Sequence, residues 1–374
     1  MSALISAFTR GGDGPTIVIK DTIDIAGMRT TGASRALAET AHAQTHADVV
    51  QLLLDAKWKI VGKANMHELA FGMTGINDYT GTPVNPQDAT RIPGGSSSGS
   101  ASAVGQGLAE AALGTDTGGS IRGPAACCGV VGLKPTFERV SRRGVAPAES
   151  TLDCVGPFAR DVRMIVETMG VIAPAFDKAA ASKKVTACRI GIAQVDARAD
   201  LLAAVTRAPQ RAGFSSQAIE LAGLADAFHA GLAIINAETW AAFGHLVDSG
   251  KLGADLETRL RAASSTTSDQ VSAAERVRRS FTDAVDRALD SVDVIVMPTL
   301  PALPITIDDA RRGASVIAMS SLIRPFNLSG HPALSLPLPI EGSPLKAGLQ
   351  IIGRHGADEQ VCAVAAAFEA ALAS

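Results

Sequence analysis

Short apolar runs alternate with longer amphipathic stretches along most of this chain. Apolar runs of about four to eight residues are typical of buried strands, whereas apolar positions at helical spacing indicate helices. The predicted strands are residues 16–20, 59–63, 111–115, 189–193 and 292–297. The predicted helices are residues 48–57, 97–112 and 268–289. Strands that alternate with helices in this way are typical of an α/β protein.

Polar and proline-rich segments separate these elements without dividing the chain. Thr45 and Asp48 are spaced as a capping box, which predicts where the helix over 48–57 begins. Residues 170–190 have no strong hydrophobic period and are predicted to form a surface connection. No stretch has the composition of an interdomain linker. We therefore expect one domain over residues 1–374.

Composition excludes several classes of protein. The chain has 374 residues, 47% of them hydrophobic, which is enough to bury a large core. Its net charge of −3 gives no electrostatic footprint for a nucleic acid, and no apolar run approaches the length of a membrane span. The five cysteines show no Cys-x-x-Cys spacing and the N-terminus lacks a basic export signal. The sequence predicts a cytoplasmic protein with reduced cysteines and no metal site, and with no nucleic-acid or membrane partner.

Two loops rich in glycine and serine, residues 94–100 and 114–124, carry the candidate chemistry. The apolar residues that follow the first loop place it in a folded core rather than in a linker. Gly118 and Gly119 put two unobstructed backbone N–H groups beside Ser120, which is what an oxyanion site requires. A short helix with Pro124 in its first turn would direct its positive end toward Ser120. Ser120 is therefore a candidate nucleophile.

Two kinds of base could activate a serine here. Residues 95–99 match Gly-x-Ser-x-Gly, the nucleophile elbow of α/β-hydrolases, with Ser97 at the centre and His331 or His355 as the base. However, an elbow follows a buried strand, and residues 90–93 are polar and include a proline. The alternative base is a lysine, because Lys20 and Lys63 each end a predicted strand, where ligand sites gather in open α/β sheets. The residues alone leave this choice open.

The two glycine- and serine-rich loops resemble the defining sequence of the amidase signature family. Further blocks of the same resemblance lie at residues 19–24, 30–34, 62–66, 132–136 and 152–157. The resemblance covers a signature core at about 14–165 and is weaker in the C-terminal segment at about 290–374. It is missing from the variable middle of the chain at about 170–290. The resemblance implies a large, mixed, twisted β-sheet covered by helices on both faces.

The resemblance also implies a Ser-Ser-Lys catalytic triad. By position in the motifs, Ser120 is the nucleophile, Ser96 is the bridging serine after a cis peptide bond, and Lys20 is the base. The implied oxyanion hole consists of the backbone N–H groups of Thr117, Gly118 and Gly119. A triad of this kind needs no metal and no organic cofactor. Lys63, Asp116, Arg122 and Asp153 then become structural residues.

The family's substrate pocket maps onto two segments of this chain. One wall is implied at Ala70, Phe71, Gly72 and Met73, and another at Arg324. The implied activity is hydrolysis of a small amide through a seryl acyl-enzyme. Two alternatives stay open, an A-type subunit of a glutamine-dependent amidotransferase and an α/β-hydrolase-type esterase. The resemblance also implies a homodimer, although only 19 residues precede Lys20, where typical members carry a longer helical segment.

Overall fold

The apolar runs predicted as strands form strands in the computed structural model, which describes residues 3–373. The described strands are β1 (Leu4–Gly11), β2 (Thr16–Lys20), β3 (Lys59–Ala64), β4 (Ala111–Asp116), β5 (Val131–Lys134), β6 (Cys154–Ala159), β7 (Arg189–Ala193), β8 (Ser215–Ile219), β9 (Val294–Pro298), β10 (Ala333–Pro339) and β11 (Lys346–Ile352). The predicted strand at 292–297 begins two residues late, and the strand at 189–193 has the predicted bounds.

Helices connect most of these strands. They are α1 (Asp48–Asp55), α2 (Ser98–Gly105), α3 (Arg122–Cys128), α4 (Val162–Ile172), α5 (Lys178–Ala181), α6 (Ala199–Arg211), α7 (Leu224–Phe243), α8 (Ala254–Ala263), α9 (Ser268–Ser291), α10 (Ile307–Arg311), α11 (Pro325–Leu328) and α12 (Asp358–Ala373). The segment predicted as a surface connection, 170–190, contains the end of α4 and the short α5.

All eleven strands belong to one mixed sheet in the order β1-β3-β2-β4-β6-β5-β10-β11-β9-β7-β8. Strand β2 runs parallel to both of its neighbours, β3 and β4, and β7 runs parallel to β8 and β9. The strands between β4 and β9 pair antiparallel. Because β2 and β4 are parallel neighbours, their carboxyl ends meet at the same edge of the sheet.

Helices cover both faces of the sheet. Ile17, Ile19 and Leu113 point to one face, where helices α1, α4, α6 and α12 bury them. Val18 and Ala112 point to the other face and pack under α2 and α3. Farther along that second face, α7 and α9 cover the strands β9 and β10. The predicted α/β architecture with helices on both faces is confirmed.

Two local predictions are wrong. The helix predicted over 97–112 is only α2, because Gly105 ends it and Gly107 takes a left-handed φ of 74°. The predicted capping box of α1 does not form, since Ala47 is the N-cap and makes no side-chain capping bond. Asp48 instead accepts a hydrogen bond from Ser141 Oγ at 2.7 Å and pairs with Arg143. Asp48 thus ties α1 to a distant loop.

Across residues 3–373, no helix is both long enough and apolar enough to cross a membrane. The division into a signature core, a variable middle and a C-terminal segment stays a prediction.

Candidate active site

Lys20 and Ser96 are brought together at the carboxyl edge of the sheet. Lys20 is the last residue of β2, and its Nζ lies 2.8 Å from Ser96 Oγ. The same Nζ lies 2.8 Å from Thr115 Oγ1 on the neighbouring β4. Both Lys20 and Ser96 are fully buried, and the peptide bond between Gly95 and Ser96 is cis. The predicted base and bridging serine are therefore in direct contact.

Burial gives Lys20 the character of a base. Loss of water around the ammonium group lowers the pKa of Lys20 from 10.5 to about 7, and the charges of Asp153 and Asp116 oppose part of this shift. A lysine with such a pKa is substantially neutral near neutral pH and can accept a proton. Asp153 itself accepts hydrogen bonds from Thr117 Oγ1 at 2.7 Å and from Arg142 Nε at 3.0 Å.

Ser120 lies in the loop between β4 and α3, beside the first serine-rich loop. The N–H of Ser97 donates to the carbonyl of Ser120 at 3.3 Å, which joins the two loops. Helix α3 follows Ser120 directly and ends at Gly129, whose φ of 68° suits the left-handed C-terminal position that glycine favours. The predicted short helix is thus confirmed.

The carboxylate of Asp116 organises the loop around Ser120. It accepts hydrogen bonds from the N–H groups of Gly119 at 2.7 Å and Ile121 at 3.1 Å. Gly119 is one of the three predicted oxyanion donors, and its N–H reaches an oxyanion only by sharing or exchanging that bond. Thr117 and Gly118 stay predicted donors.

A buried polar network surrounds Asp116. Arg122 pairs with its carboxylate at 3.0 Å, and both side chains are fully buried. Arg122 also donates to Asn327 Oδ1 at 2.6 Å and to Gln350 Oε1 at 2.7 Å. Burial alone would raise the pKa of Asp116, but the charge and hydrogen bonds of Arg122 hold it well below its usual range. The sequence predicted the structural role of Asp116 and Arg122, while Asn327 and Gln350 were missed as their partners.

Replacing Arg122 by methionine is expected to destabilise the protein by about 3–5 kcal/mol, because the carboxylate of Asp116 would stay buried without its counterion. Urea denaturation of both proteins measures the difference. Arg160→Met is the matched control, since Arg160 is exposed and its loss is expected to change the unfolding free energy by less than about 0.5 kcal/mol. Equal stability of the Arg122 variant and the wild type would contradict the network's role.

The alternative nucleophile, Ser97, lies inside the folded core. Its side chain is fully buried, and its Oγ donates to the carbonyl oxygen of Thr115 at 3.1 Å. The two histidines considered as its base contact Asp286 instead, His331 Nε2 at 3.0 Å and His355 Nδ1 at 3.8 Å. Ser97 therefore has a structural hydrogen bond in place of a catalytic partner.

The second candidate lysine, Lys63, is in a buried ion pair. Its Nζ lies 2.8 Å from Asp21 Oδ1, with both side chains about 2% exposed. It also donates to the carbonyl oxygen of Arg29 at 2.8 Å. Lys63 thus ties the end of β3 to the loop after β2, in agreement with its predicted structural role.

Ser120 opens into a cavity of about 290 Å³. All the residues predicted for the pocket line it, namely Ala70, Phe71, Gly72, Met73 and Arg324, together with Thr117 and Gly118. The remaining wall was not predicted from the sequence and consists of Leu232, Ile235, Asn236, Arg259, Ala262, Val316 and Ile317. Most of these residues come from α7 and α8, in the middle of the chain. The small volume suits a small ligand.

Two arginines line this largely apolar cavity, and they differ in their partners. Arg324 is 7% exposed, and its guanidinium lies 4.5 Å from the centre of the Phe228 ring. Burial lowers the pKa of Arg324 to about 10, which still leaves it charged at neutral pH. Its Nε is buried without a hydrogen-bond partner, and its Nη1 donates to the carbonyl oxygen of Phe228 at 3.4 Å. No carboxylate pairs with it among residues 3–373. Arg259, by contrast, pairs with Asp255 at 2.5 Å.

A family model and curated relatives match this chain over most of its length. The family model described as Amidase matches residues 13–362. A curated relative, the A-type subunit of the glutamyl-tRNA(Gln) amidotransferase of Methanospirillum hungatei, is 35% identical over 96% of this chain and 94% of its own length. The same subunit of Deinococcus radiodurans is 34% identical over 96% of this chain and 84% of its own.

Solved structures share the fold as well. A crystal structure of an amidase superposes with a TM-score of 0.87 at 29% identity, over 96% of this chain and 84% of that one. The A-type subunit of the glutamyl-tRNA(Gln) amidotransferase of Thermotoga maritima superposes with a TM-score of 0.84 at 31% identity, over 98% and 87% of the two chains.

Proposed function

The chain belongs to the amidase signature family and is an amide-cleaving enzyme, and from that premise we propose that its substrate is a small amide that carries a carboxylate. Glutamine is the first candidate for this substrate. The names of the curated relatives favour the amidotransferase alternative over an unspecified small amide. Glutamine is the substrate that the sequence prediction attached to that alternative. The size of the cavity agrees with a substrate of a few heavy atoms.

The proposed reaction uses Ser120 as the nucleophile. Its Oγ attacks the amide carbonyl while its proton passes through Ser96 to neutral Lys20. The N–H groups of Thr117 and Gly118 stabilise the oxyanion, with Gly119 as the third predicted donor. The proton then returns to the leaving nitrogen, which departs as ammonia and leaves an ester on Ser120. Water attacks this ester, gives its proton to Lys20 through Ser96, and the proton finally restores the Ser120 hydroxyl.

The observation that carries the substrate proposal is the buried charge of Arg324, which has no carboxylate partner among residues 3–373. Within that range, only the ring of Phe228 and a long hydrogen bond to the Phe228 carbonyl oxygen, at 3.4 Å, compensate it. A buried guanidinium is costly unless an anion or several hydrogen bonds compensate it. Its stem fits against Gly231, where an added Cβ would lie only 2.9 Å from Arg324 Cγ, and its Nε lies 3.5 Å from the position of a Cβ on Gly118. Arg324 is therefore held against the oxyanion loop, where a substrate carboxylate can pair with it.

A pair of amides of matched length tests this proposal. Glutaramate carries a carboxylate where pentanamide carries a methyl group, so their ratio of kcat/KM isolates the charge. Ammonia release is measured for both and for glutamine. Preference for glutaramate and glutamine is expected. A preference for pentanamide would overturn the carboxylate proposal and favour hydrolysis of a neutral amide, which the apolar side chains of Met73, Leu232 and Ile235 would suit.

Replacing Arg324 by methionine is expected to lower kcat/KM for glutaramate by about 10- to 100-fold, because a charge-assisted hydrogen bond is lost. The rate with pentanamide is expected to change little. Arg261→Met is the matched control, since Arg261 lies on α8 but pairs with Glu257 and Asp248 outside the cavity. Equal losses with both substrates would indicate a structural role for Arg324 and contradict carboxylate recognition.

The role of an A-type subunit is the second part of the proposal. The named relatives are subunits, so an isolated chain is expected to release ammonia from glutamine slowly and to do so faster once its partner proteins are bound. The measurement compares the chain alone with the complex isolated from its native source. Equal rates per active site, or a chain that isolates as a monomer or homodimer with full glutaminase activity, would contradict a partner-dependent role.

A further inference from the structure

Two histidines and an aspartate converge at a point outside the cavity. Asp286 comes from α9, His331 precedes β10, and His355 lies between β11 and α12. Asp286 Oδ1 lies 3.0 Å from His331 Nε2 and 3.8 Å from His355 Nδ1. None of the three lines the cavity at Ser120. The cluster thus belongs to a separate part of the fold.

The carbonyl oxygen of Ser329 fixes which nitrogen of His355 faces the aspartate. His355 Nε2 lies 2.7 Å from the carbonyl oxygen of Ser329, which only accepts, so this nitrogen carries the proton. In the neutral ring, Nδ1 then presents a lone pair to the carboxylate of Asp286. Two acceptors that face each other repel, and a cation between them removes the repulsion. A proton on His355 or a metal ion can fill this role.

His331 completes the cluster from inside the fold. It is fully buried, and its ring lies 3.8 Å from that of His355, centroid to centroid. Its Nε2 is within hydrogen-bond distance of Asp286 Oδ1, at 3.0 Å, so nitrogen and oxygen face each other directly. One ligand atom from each of the three side chains lies within 4.8 Å of the other two, which is close enough for a single ion to contact all of them.

The distances suit a tetrahedral ion. Bonds of about 2.0–2.2 Å to nitrogen and oxygen imply ligand atoms about 3.4 Å apart. The separations of His331 Nε2 and His355 Nδ1 from Asp286 Oδ1, 3.0 and 3.8 Å, lie on either side of that value, and all three ligand atoms lie within 4.8 Å of one another. Both histidines also have the outer hydrogen bonds typical of metal ligands, His331 Nδ1 with Ser329 Oγ at 3.0 Å and His355 Nε2 with the Ser329 carbonyl.

We propose that Asp286, His331 and His355 bind a divalent transition-metal ion such as Zn²⁺ through Asp286 Oδ1, His331 Nε2 and His355 Nδ1. Two imidazoles and one carboxylate form a ligand set that suits zinc and its neighbours in the first transition series. Asp286 is half exposed, so water completes the coordination on that side. The ion would join α9 to the segments that precede β10 and α12. This proposal departs from the sequence-based expectation that the chain has no metal site.

The proposal is tested on the full chain without a histidine tag. After treatment with a chelator, titration calorimetry with Zn²⁺ is expected to show one equivalent bound per chain at slightly alkaline pH. Asp286→Asn and His355→Gln are expected to weaken binding by about 100-fold or more. Both side chains are at least a third exposed, so these variants spare the core. Zn²⁺ is expected to raise the Tm of the wild type and not that of Asp286→Asn.

His245→Gln is the matched control, because His245 is exposed and lies outside the cluster. It is expected to bind Zn²⁺ as the wild type does. Co²⁺ is expected to give visible d–d bands without a thiolate charge-transfer band, which separates this site from the buried cysteines. No Zn²⁺ bound by the wild type, or equal binding by Asp286→Asn and the wild type, would overturn the proposal and leave a proton shared between His355 and Asp286.

Discussion

Replacing Ser120 by alanine is expected to abolish amide hydrolysis and labelling by a fluorophosphonate. Ser120 is the serine of the two loops that lines the cavity, whereas Ser96 and Ser97 are fully buried. Without the Ser120 hydroxyl no acyl-enzyme can form, and turnover is expected to fall by a factor on the order of 10⁴ or more. Intact-mass spectrometry of the labelled protein gives the first measurement, and ammonia release gives the second.

Two neighbouring serines provide matched controls for this experiment. Ser97→Ala is expected to keep the label, because Ser97 Oγ is engaged with the carbonyl of Thr115. Ser98→Ala is expected to keep both label and turnover, since Ser98 Oγ is buried without a hydrogen-bond partner. Circular dichroism of each variant confirms that the fold is retained.

The pattern of labelling separates the remaining hypotheses. A label lost only in Ser97→Ala would return the nucleophile elbow to consideration. A label that survives in Ser120→Ala would contradict the proposed nucleophile. A folded wild type that takes no label would contradict a reactive serine in the isolated chain and favour a site completed by a partner protein.

Local sequence predicts the parts of this site that lie on short, continuous segments. Lys20 ends a five-residue strand and Ser120 follows glycines, so each residue stands in a recognisable local pattern. Their proximity depends on β2 and β4 being neighbours in the sheet, which no local pattern reveals. The family resemblance supplied that pairing. Thr115, the second partner of Lys20, was missed although it lies on the predicted strand.

The opposite wall of the cavity was beyond prediction for a physical reason. Leu232 and Ile235 lie on α7, and Arg259 lies on α8, outside the sequence blocks on which the resemblance rests. Helical periodicity tells which face of a helix is buried but leaves open which surface it packs against. The substrate-binding side chains of this region therefore required the three-dimensional structure.

The network around Asp116 also combines residues whose role was predicted with residues whose role was missed. Arg122 lies six residues from Asp116, and the family resemblance implied that both are structural residues. Asn327 and Gln350 reach the same network from the C-terminal segment. Asparagine and glutamine side chains are mostly exposed in proteins, and no predicted element covers these two positions, so their burial here was unexpected. The arrangement also links the C-terminal segment to the loop that carries Ser120.

Removing the amine of Lys20 is expected to lower kcat/KM by about 10²–10⁴-fold, because proton transfer from Ser120 through Ser96 loses its acceptor. The wild-type profile should identify this base. Since burial lowers the pKa of Lys20 to about 7, kcat/KM should rise about tenfold per pH unit below 7 and level off above it. In Lys20→Met this rising limb should disappear. Lys183→Met, at an exposed position, is the control and should keep the wild-type profile.

Asp153→Asn tests whether Lys20 is the titrating base through the pH at which kcat/KM rises, and not through the size of the rate. The carboxylate of Asp153 stabilises the ammonium form of Lys20, so its removal should lower the pKa of Lys20 further. The loss also frees the positive charge of Arg142, which acts in the same direction. The rising limb should therefore move to lower pH even if the maximum rate falls, because an NH2 group replaces one of the two oxygens that accept from Thr117 and Arg142. A limb that stays in place in Asp153→Asn, or that persists in Lys20→Met, would assign the titration to another group and remove Lys20 as the base.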